Sequence, residues 1–188
     1  PPESELLGIA FAVVILIIAM GSVIAMGTTI AVALIGVGIG AISIGLVSHL
    51  MSVPDFATTI GLMIGLGVGI DYALFIVTRY REALREGFDP EGATIVALDT
   101  AGRSVIFAGA TVVVSLLGLL LIGLSFIAGL GVGAALTVAI VVTSSITLLP
   151  AVLGLVQNRV NITRRAGMAG AALIALGLLA LGLGQGPF

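Results

Sequence analysis

The chain has 188 residues, 60% hydrophobic and only 9% charged, and its mean hydropathy of +1.35 lies far above that of an average soluble domain, so it reads as a membrane protein. Its seven cationic side chains are all Arg and its formal net charge is −2, too little positive charge for a nucleic-acid binder. Cysteine is absent, which excludes disulfide scaffolding, cysteine metal sites and thiol catalysis.

The chain opens Pro1-Pro2-Glu3-Ser4-Glu5, with no Met and no basic segment before the first apolar run. That run is therefore not expected to be a signal peptide, and the chain reads as an excerpt of a longer one. Residues 6–47 carry no charge. As one helix at about 1.5 Å per residue they would be ~60 Å long, twice a hydrocarbon core of roughly 30 Å, so they must fold back. A turn is expected in Gly21–Thr29, where Gly21-Ser22 and Gly27-Thr28-Thr29 are weak helix formers, giving spans near 5–24 and 29–50. Pro54 disfavours helix at Val53 and ends the second span; a third then runs over 56–78 and is closed by Arg79.

Asp89-Pro90-Glu91 reads as an N-cap, a proline at the first helical position and a first-turn acid, with Gly102 as the stop. This predicts a short helix near 90–101 that lies on the inner membrane surface through Ile95, Val96 and Leu98, an elbow before Arg103. Apolar runs at 104–123 and 127–150 are parted by Gly123-Leu124-Ser125-Phe126, and a sixth occupies 166–184. The expected fold is all-α: a polytopic helical bundle of six spans. Residues 1–156 form its main part, 157–165 a cytoplasmic linker and 166–188 a further span with an outward-facing end.

Charge placement agrees with that count. Arg79, Arg81, Arg85, Arg103, Arg159, Arg164 and Arg165 all fall in the 79–103 and 157–165 loops, which share one side; the other side carries Glu3, Glu5 and Asp55. The positive-inside rule makes the Arg side cytoplasmic.

Asp71 interrupts the third span, with no other group charged at neutral pH between Asp55 and Arg79. Eight residues before Arg79, it lies roughly 12 Å inside the inner boundary on a straight helix. An ionised Asp at such a depth costs at least ~2.5 kcal/mol, so it should face protein or water or hold a proton, and an ion or proton pathway is the expected role. Tyr72 follows about 100° round the helix and needs a hydrogen-bond partner of its own. The same-face neighbours of Asp71 are Gly67, Leu74, Phe75 and Thr78, of which only Thr78 is polar.

Gly61, Gly65 and Gly69 make two successive small-xxx-small steps, a ridge suited to close helix approach. Gly69 is about 200° from Asp71, so that ridge lies on the far side of the helix from the acid, while Gly67 leaves room on the acid's face. The Gly-x-Gly-x-Gly run is no dinucleotide fingerprint: its third Gly comes one residue early and no strand precedes it. Thr111 and Ser115 form an i,i+4 polar stripe in the fourth span, and Thr143, Ser144, Ser145 and Thr147 a denser group in the fifth. Such hydroxyls usually join helices; Thr78, Thr111 and Ser115 are candidates for supporting a relay at Asp71. His49 is read as an interfacial side chain near Asp55. Nothing suggests soluble enzyme chemistry: the sequence offers no paired-carboxylate site, His/Asp/Glu metal cluster or nucleophile elbow, and no cofactor is expected.

Three stretches carry a family resemblance: "GLGVGIDYALFIVTRYREAL" at 65–84, "AGRSVIFAGATVVVS" at 101–115 and "TLLPAVLGL" at 147–155. Together they resemble the MMPL (mycobacterial membrane protein large) branch of the RND superfamily over about residues 4–156, with Ile70-Asp71-Tyr72-Ala73 the most specific part. The chain looks like the second to sixth spans of that family's first transmembrane half, with 166–184 resembling the seventh. The resemblance implies a proton-driven exporter of lipids or amphipathic compounds in a bacterial inner membrane. Asp71 and Tyr72 would face an Asp-Tyr pair of a second transmembrane half, and proton uptake there would move periplasmic porter domains. Partners implied are protons, membrane lipids, a lipid or hydrophobic substrate, the second half and the porter domains. The five-span unit also resembles the sterol-sensing domain of Patched-like proteins, a lipid-sensing alternative, and more distantly the protein-export partners SecD and SecF.

Overall fold

A computed structural model of the chain describes residues 23–156, which belong almost wholly to a compact unit running Thr28–Gln157. The expected linker at 157–165, the span at 166–184 and all but the last two residues of the span at 5–24 lie outside the described residues. Every regular element among the described residues is helical: α1 (Val23–Val47), α2 (Asp55–Arg85), α3 (Pro90–Ala97), a π turn (Leu98–Gly102), α4 (Arg103–Leu117), a 3-10 turn (Gly118–Ile122) and α5 (Ser125–Val156). Four stretches are long and apolar enough to cross a membrane: Ala25–Val47, Phe56–Arg85, Pro90–Ile122 and Ser125–Leu155. The described residues thus support four of the six expected spans.

The expected turn at 21–29 does not extend to its second half, because α1 is already helical from Val23 and passes through Gly27, Thr28 and Thr29. Weak propensity loses to packing there: Thr28 and Thr29 are buried, and a buried helix face outweighs a few tenths of a kcal/mol per residue. The helix ends at Val47, where the Ser48 hydroxyl (2.7 Å) and His49 Nδ1–H (2.8 Å) both donate to the Gly45 carbonyl. A carbonyl can only accept, so this contact places the His49 proton on Nδ1 and makes the ring a helix C-terminal cap.

Arg79 does not close the third span. Helix α2 continues to Arg85, with the Arg79 guanidinium held at 2.8 Å from Glu82 and 3.6 Å from Glu86. At about 1.5 Å per residue its 31 residues are ~46 Å long, well beyond a hydrocarbon core of roughly 30 Å. The stop is Gly87, at φ 98. Its N–H bonds the Leu84 carbonyl (3.3 Å) and that of Phe88 bonds the Ala83 carbonyl (3.1 Å), the Schellman pattern that a left-handed residue makes possible. Asp89 then caps α3, its Oδ1 accepting from the Gly92 N–H at 3.2 Å, with Pro90 in the first turn.

The elbow is the main correction. The N-terminal signals at Asp89 and Pro90 do start a helix, but Gly102 does not end it: its dihedrals are right-handed helical (φ −59, ψ −43), and the π turn passes directly into α4. A glycine stops a helix by going left-handed, and a buried glycine in a packed helix has no reason to do so. Ala93, Ala97 and Ala101 turn inward on this segment, which packs on α2 and α5 instead of lying flat on a lipid surface. The span expected at 104–123 is therefore the distal part of one rod over Pro90–Ile122.

Gly123, at φ 77, makes the tight turn into α5, with its N–H on the Leu120 carbonyl at 3.4 Å. Helix α5 starts at Ser125 and carries Pro150 within it, running on to Val156 past the expected end at 150. Pro is tolerated in spanning helices where neighbours re-satisfy the freed backbone, and Leu149 and Leu153 beside it are buried. Helix α5 is the centre of the unit. It packs on α2 and α4, and Val141 and Thr137 touch the glycines Gly36 and Gly40 of α1.

Candidate functional site

Asp71 and Tyr72 sit on α2, whose two sides are unlike. On one side Ala57, Gly61, Gly65, Gly69, Ala73, Val77 and Tyr80 are buried, a row at three- and four-residue steps. The missing side chains are what allow the approach. A methyl on Gly65 would stand 2.6 Å from Thr137 Cγ2, and one on Gly69 would stand 2.7 Å from Val141 Cγ1 and 3.2 Å from Ala33 Cβ. On Gly61 it would meet Ile44 Cδ1 at 3.1 Å and Thr137 Oγ1 at 3.3 Å. Thr137 is accommodated because its hydroxyl bonds the Gly133 carbonyl of its own helix at 2.9 Å, leaving its methyl to pack.

The other side of α2 is open. Asp71 is exposed, in line with Met63 (71% exposed), Gly67, Phe75 (52%) and Thr78. Nothing lies within 4 Å of where a Gly67 side chain would begin. Among the described residues the Asp71 carboxylate makes no hydrogen bond or ion pair. The nearest cation along the helix, Arg79, is engaged by Glu82 and Glu86, and Arg103 at the start of α4 pairs with Asp99 at 2.6 Å. Tyr72 lies half-buried at the border between the two faces. Among the described residues no three His, Cys, Asp or Glu side chains group as a metal site.

Thr111 and Ser115 are on exposed positions of α4, and their hydroxyls are spent locally: Thr111 donates to the Phe107 carbonyl and Ser115 to the Thr111 carbonyl, both at 2.8 Å. Their oxygens keep lone pairs for a further donor, but neither hydroxyl is joined to Asp71. The structure therefore brings the glycines together with α1 and α5, and leaves Asp71, Thr78, Thr111 and Ser115 as separate polar points on an apolar exterior.

Sequence reasoning overlooked Tyr80. Among the described residues it is the largest fully buried side chain, at 0% exposure, and its hydroxyl makes no hydrogen bond there. The signal was available: eleven residues after Gly69, it falls about 20° from the glycine ridge, hence on the packed side.

Comparison with known sequences gives a consistent result. The profile of the MMPL family matches residues 3–176. Membrane protein YdfJ of Bacillus subtilis is 43% identical over 159 residues, covering 83% of this chain and 22% of its own length. Trehalose monomycolate exporter MmpL3 of Mycobacterium tuberculosis is 38% identical over 160 residues, 84% of this chain and 17% of its own. Mycolic acid-containing lipids exporter MmpL11 of Mycolicibacterium smegmatis is 42% identical over 108 residues, 57% of this chain and 11% of its own. The chain thus spans about a fifth or less of the curated relatives it matches.

Proposed function

The chain belongs to the MMPL family, a family of membrane proteins with named lipid exporters among its members, and from that premise we propose that it is the proton-coupling transmembrane part of such an exporter. The cargo class is lipids or amphipathic compounds, the setting a bacterial inner membrane with the Arg-rich ends of the helices cytoplasmic and further spans at 5–24 and 166–184. One observation carries the reading: Asp71 stands on an exposed apolar face of a spanning helix, without a hydrogen bond or counter-charge among the described residues.

An uncovered carboxylate at mid-membrane depth costs at least ~2.5 kcal/mol, so the assembled protein must cover it, hydrate it or protonate it. A second transmembrane half bearing its own Asp-Tyr pair supplies such a cover. Proton uptake at Asp71 removes the charge, which favours whichever arrangement of the two halves buries the acid, and release favours the one that hydrates it. Tyr72, half-buried at the border of the packed and open faces, would donate its hydroxyl proton across that interface. Thr78, with the lone pairs of Thr111 and Ser115, offers acceptors for water that reaches the acid. The porter domains would turn the change in helix packing into movement of cargo.

The test is Asp71→Asn in the full-length parent, reconstituted in vesicles with an imposed proton gradient. Asparagine keeps the shape and cannot cycle a proton. Gradient-driven lipid export should fall at least about a hundredfold, the size of effect expected when a group that shuttles the proton is lost, while the amount of folded protein is unchanged. Export that persists with its pH dependence intact defeats the proposal. Cargo binding that is retained and indifferent to any gradient in the unmodified protein would instead favour the sterol-sensing-like alternative.

A further inference from the structure

An open groove of about 400 Å³ runs between α1 and α5, with Ile39, Ile140 and Leu148 as apolar walls and Thr143, Ser144 and Thr147 as its polar points. It lies away from Asp71. Val141 is the α5 residue that meets Gly65 and Gly69 of α2, and Thr143 is about 200° round the helix from it. The groove's depth is nevertheless that of the acid: Val141 is level with Gly69, so Thr143 and Ser144 are level with Asp71, well inside the membrane.

The hydroxyls of this segment differ in one respect. Thr143 donates to the Ala139 carbonyl (2.8 Å), Ser145 to Val141 (3.0 Å) and Thr147 to Thr143 (2.7 Å). Ser144 is only 6% exposed, borders the groove, and makes no hydrogen bond among the described residues. Its Oγ is fixed from behind by the close passage of α1, where a methyl on Gly36 would stand 3.2 Å from it. A serine in a helix can bond a carbonyl one turn back, as its three neighbours do. Ser144 keeps its donor for the groove, where an acceptor oxygen can meet it. No cation lines the groove among the described residues, so a phosphate or carboxylate is a poor occupant, while its walls are apolar and its volume falls in the range of roughly 300–1,000 Å³ typical of small-ligand sites.

We propose that this groove binds an apolar molecule carrying one acceptor oxygen, a long-chain ester or alcohol, which accepts the Ser144 hydroxyl proton while its chain lies along Ile39, Ile140 and Leu148. The site is separate from Asp71 and does not rest on the proton-coupling reading.

The full-length parent in lipid nanodiscs would be photolabelled with three diazirine-tailed probes of equal chain length, a monoacylglycerol, a fatty alcohol and an oxygen-free alkane, and the labelled peptides mapped. The ester, the alcohol or both should label residues 139–148 several-fold more than the alkane, and which of them does so identifies the source of the oxygen. Ser144→Ala, which removes one hydroxyl without crowding Gly36, should bring that labelling down about five- to tenfold, as loss of one hydrogen bond does. Ile140→Trp, which fills the groove, should abolish it, and Asp71→Asn should leave it unchanged even if export fails. Equal labelling by all three probes overturns the proposal, as does labelling indifferent to Ser144→Ala. Absence of labelling, together with a Ser144→Cys thiol unreactive to a membrane-permeant maleimide, overturns it in favour of another helix seated in the groove.

Discussion

The two faces of α2 carry similar residues and meet opposite fates. Gly65 and Gly67 are two positions apart and chemically identical, yet a methyl on the first would collide with Thr137 and a methyl on the second would touch nothing. Between spanning helices there is little hydrophobic drive to associate, since lipid tails are as apolar as leucine, so association depends on close packing. The face with Gly61, Gly65 and Gly69 is where that packing is achieved. The face with Gly67 and Asp71 is where it is withheld, and that leaves the acid there exposed. The lesson is that in this helix glycine has two uses, and only the neighbours distinguish them.

The comparison can be broken most decisively by bulk. Gly65→Leu would drive a whole side chain into Thr137 and Val141, and is expected to prevent recovery of folded protein from the membrane. Gly67→Leu should yield normal amounts with unchanged melting behaviour. Similar yields for both would mean that the α2–α5 contact is not tight. A gentler version compares alanines: Gly69→Ala should destabilise by about 1–3 kcal/mol through overpacking against Val141 and Ala33, read as a lower melting temperature in detergent. Gly67→Ala should be neutral or stabilising by roughly 0.5–1 kcal/mol, because it only improves helix propensity. Tyr80 sharpens the contrast at the smallest scale. Its hydroxyl is buried on the packed face without a partner among the described residues, so Tyr80→Phe is expected to cost nothing and to gain up to about 1 kcal/mol of stability. A clear loss on Tyr80→Phe would show that the packed face has a polar function after all.

Much of the chain order could be read directly from residues. Pro54, the Asp89-Pro90 pair and Gly123 mark helix boundaries in the structure, because each acts through its own backbone or side chain, independently of the rest of the fold. Boundaries that depended on weak propensity did not hold. Gly27-Thr28-Thr29 continues a helix and Gly102 passes through a π turn, since burial of Thr28, Thr29 and Ala101 overrides local preference. The stop at Gly87 went unread for the opposite reason: polar residues beyond Arg79 look like a loop, but Arg79, Glu82 and Glu86 satisfy one another along a helix that extends past the apolar run.

The site divides in the same manner. An acid alone among 22 uncharged neighbours, from Phe56 to Thr78, is a fact of the sequence, and so is the ridge spacing of the glycines. The solvation cost of a charge in hydrocarbon is large enough that composition alone makes Asp71 exceptional. What the sequence could not contain is which helices the ridge meets, because contacts of Gly65 with Thr137, of Gly69 with Ala33 and of Gly36 with Ser144 join residues far apart in the chain. Membrane composition, the helical class and the singular acid were determined by the sequence itself. The continuity of the Pro90–Ile122 rod, the burial of Tyr80 and the place of Ser144 beside Gly36 were decided only by tertiary structure, since each depends on a neighbour that local chemistry does not name.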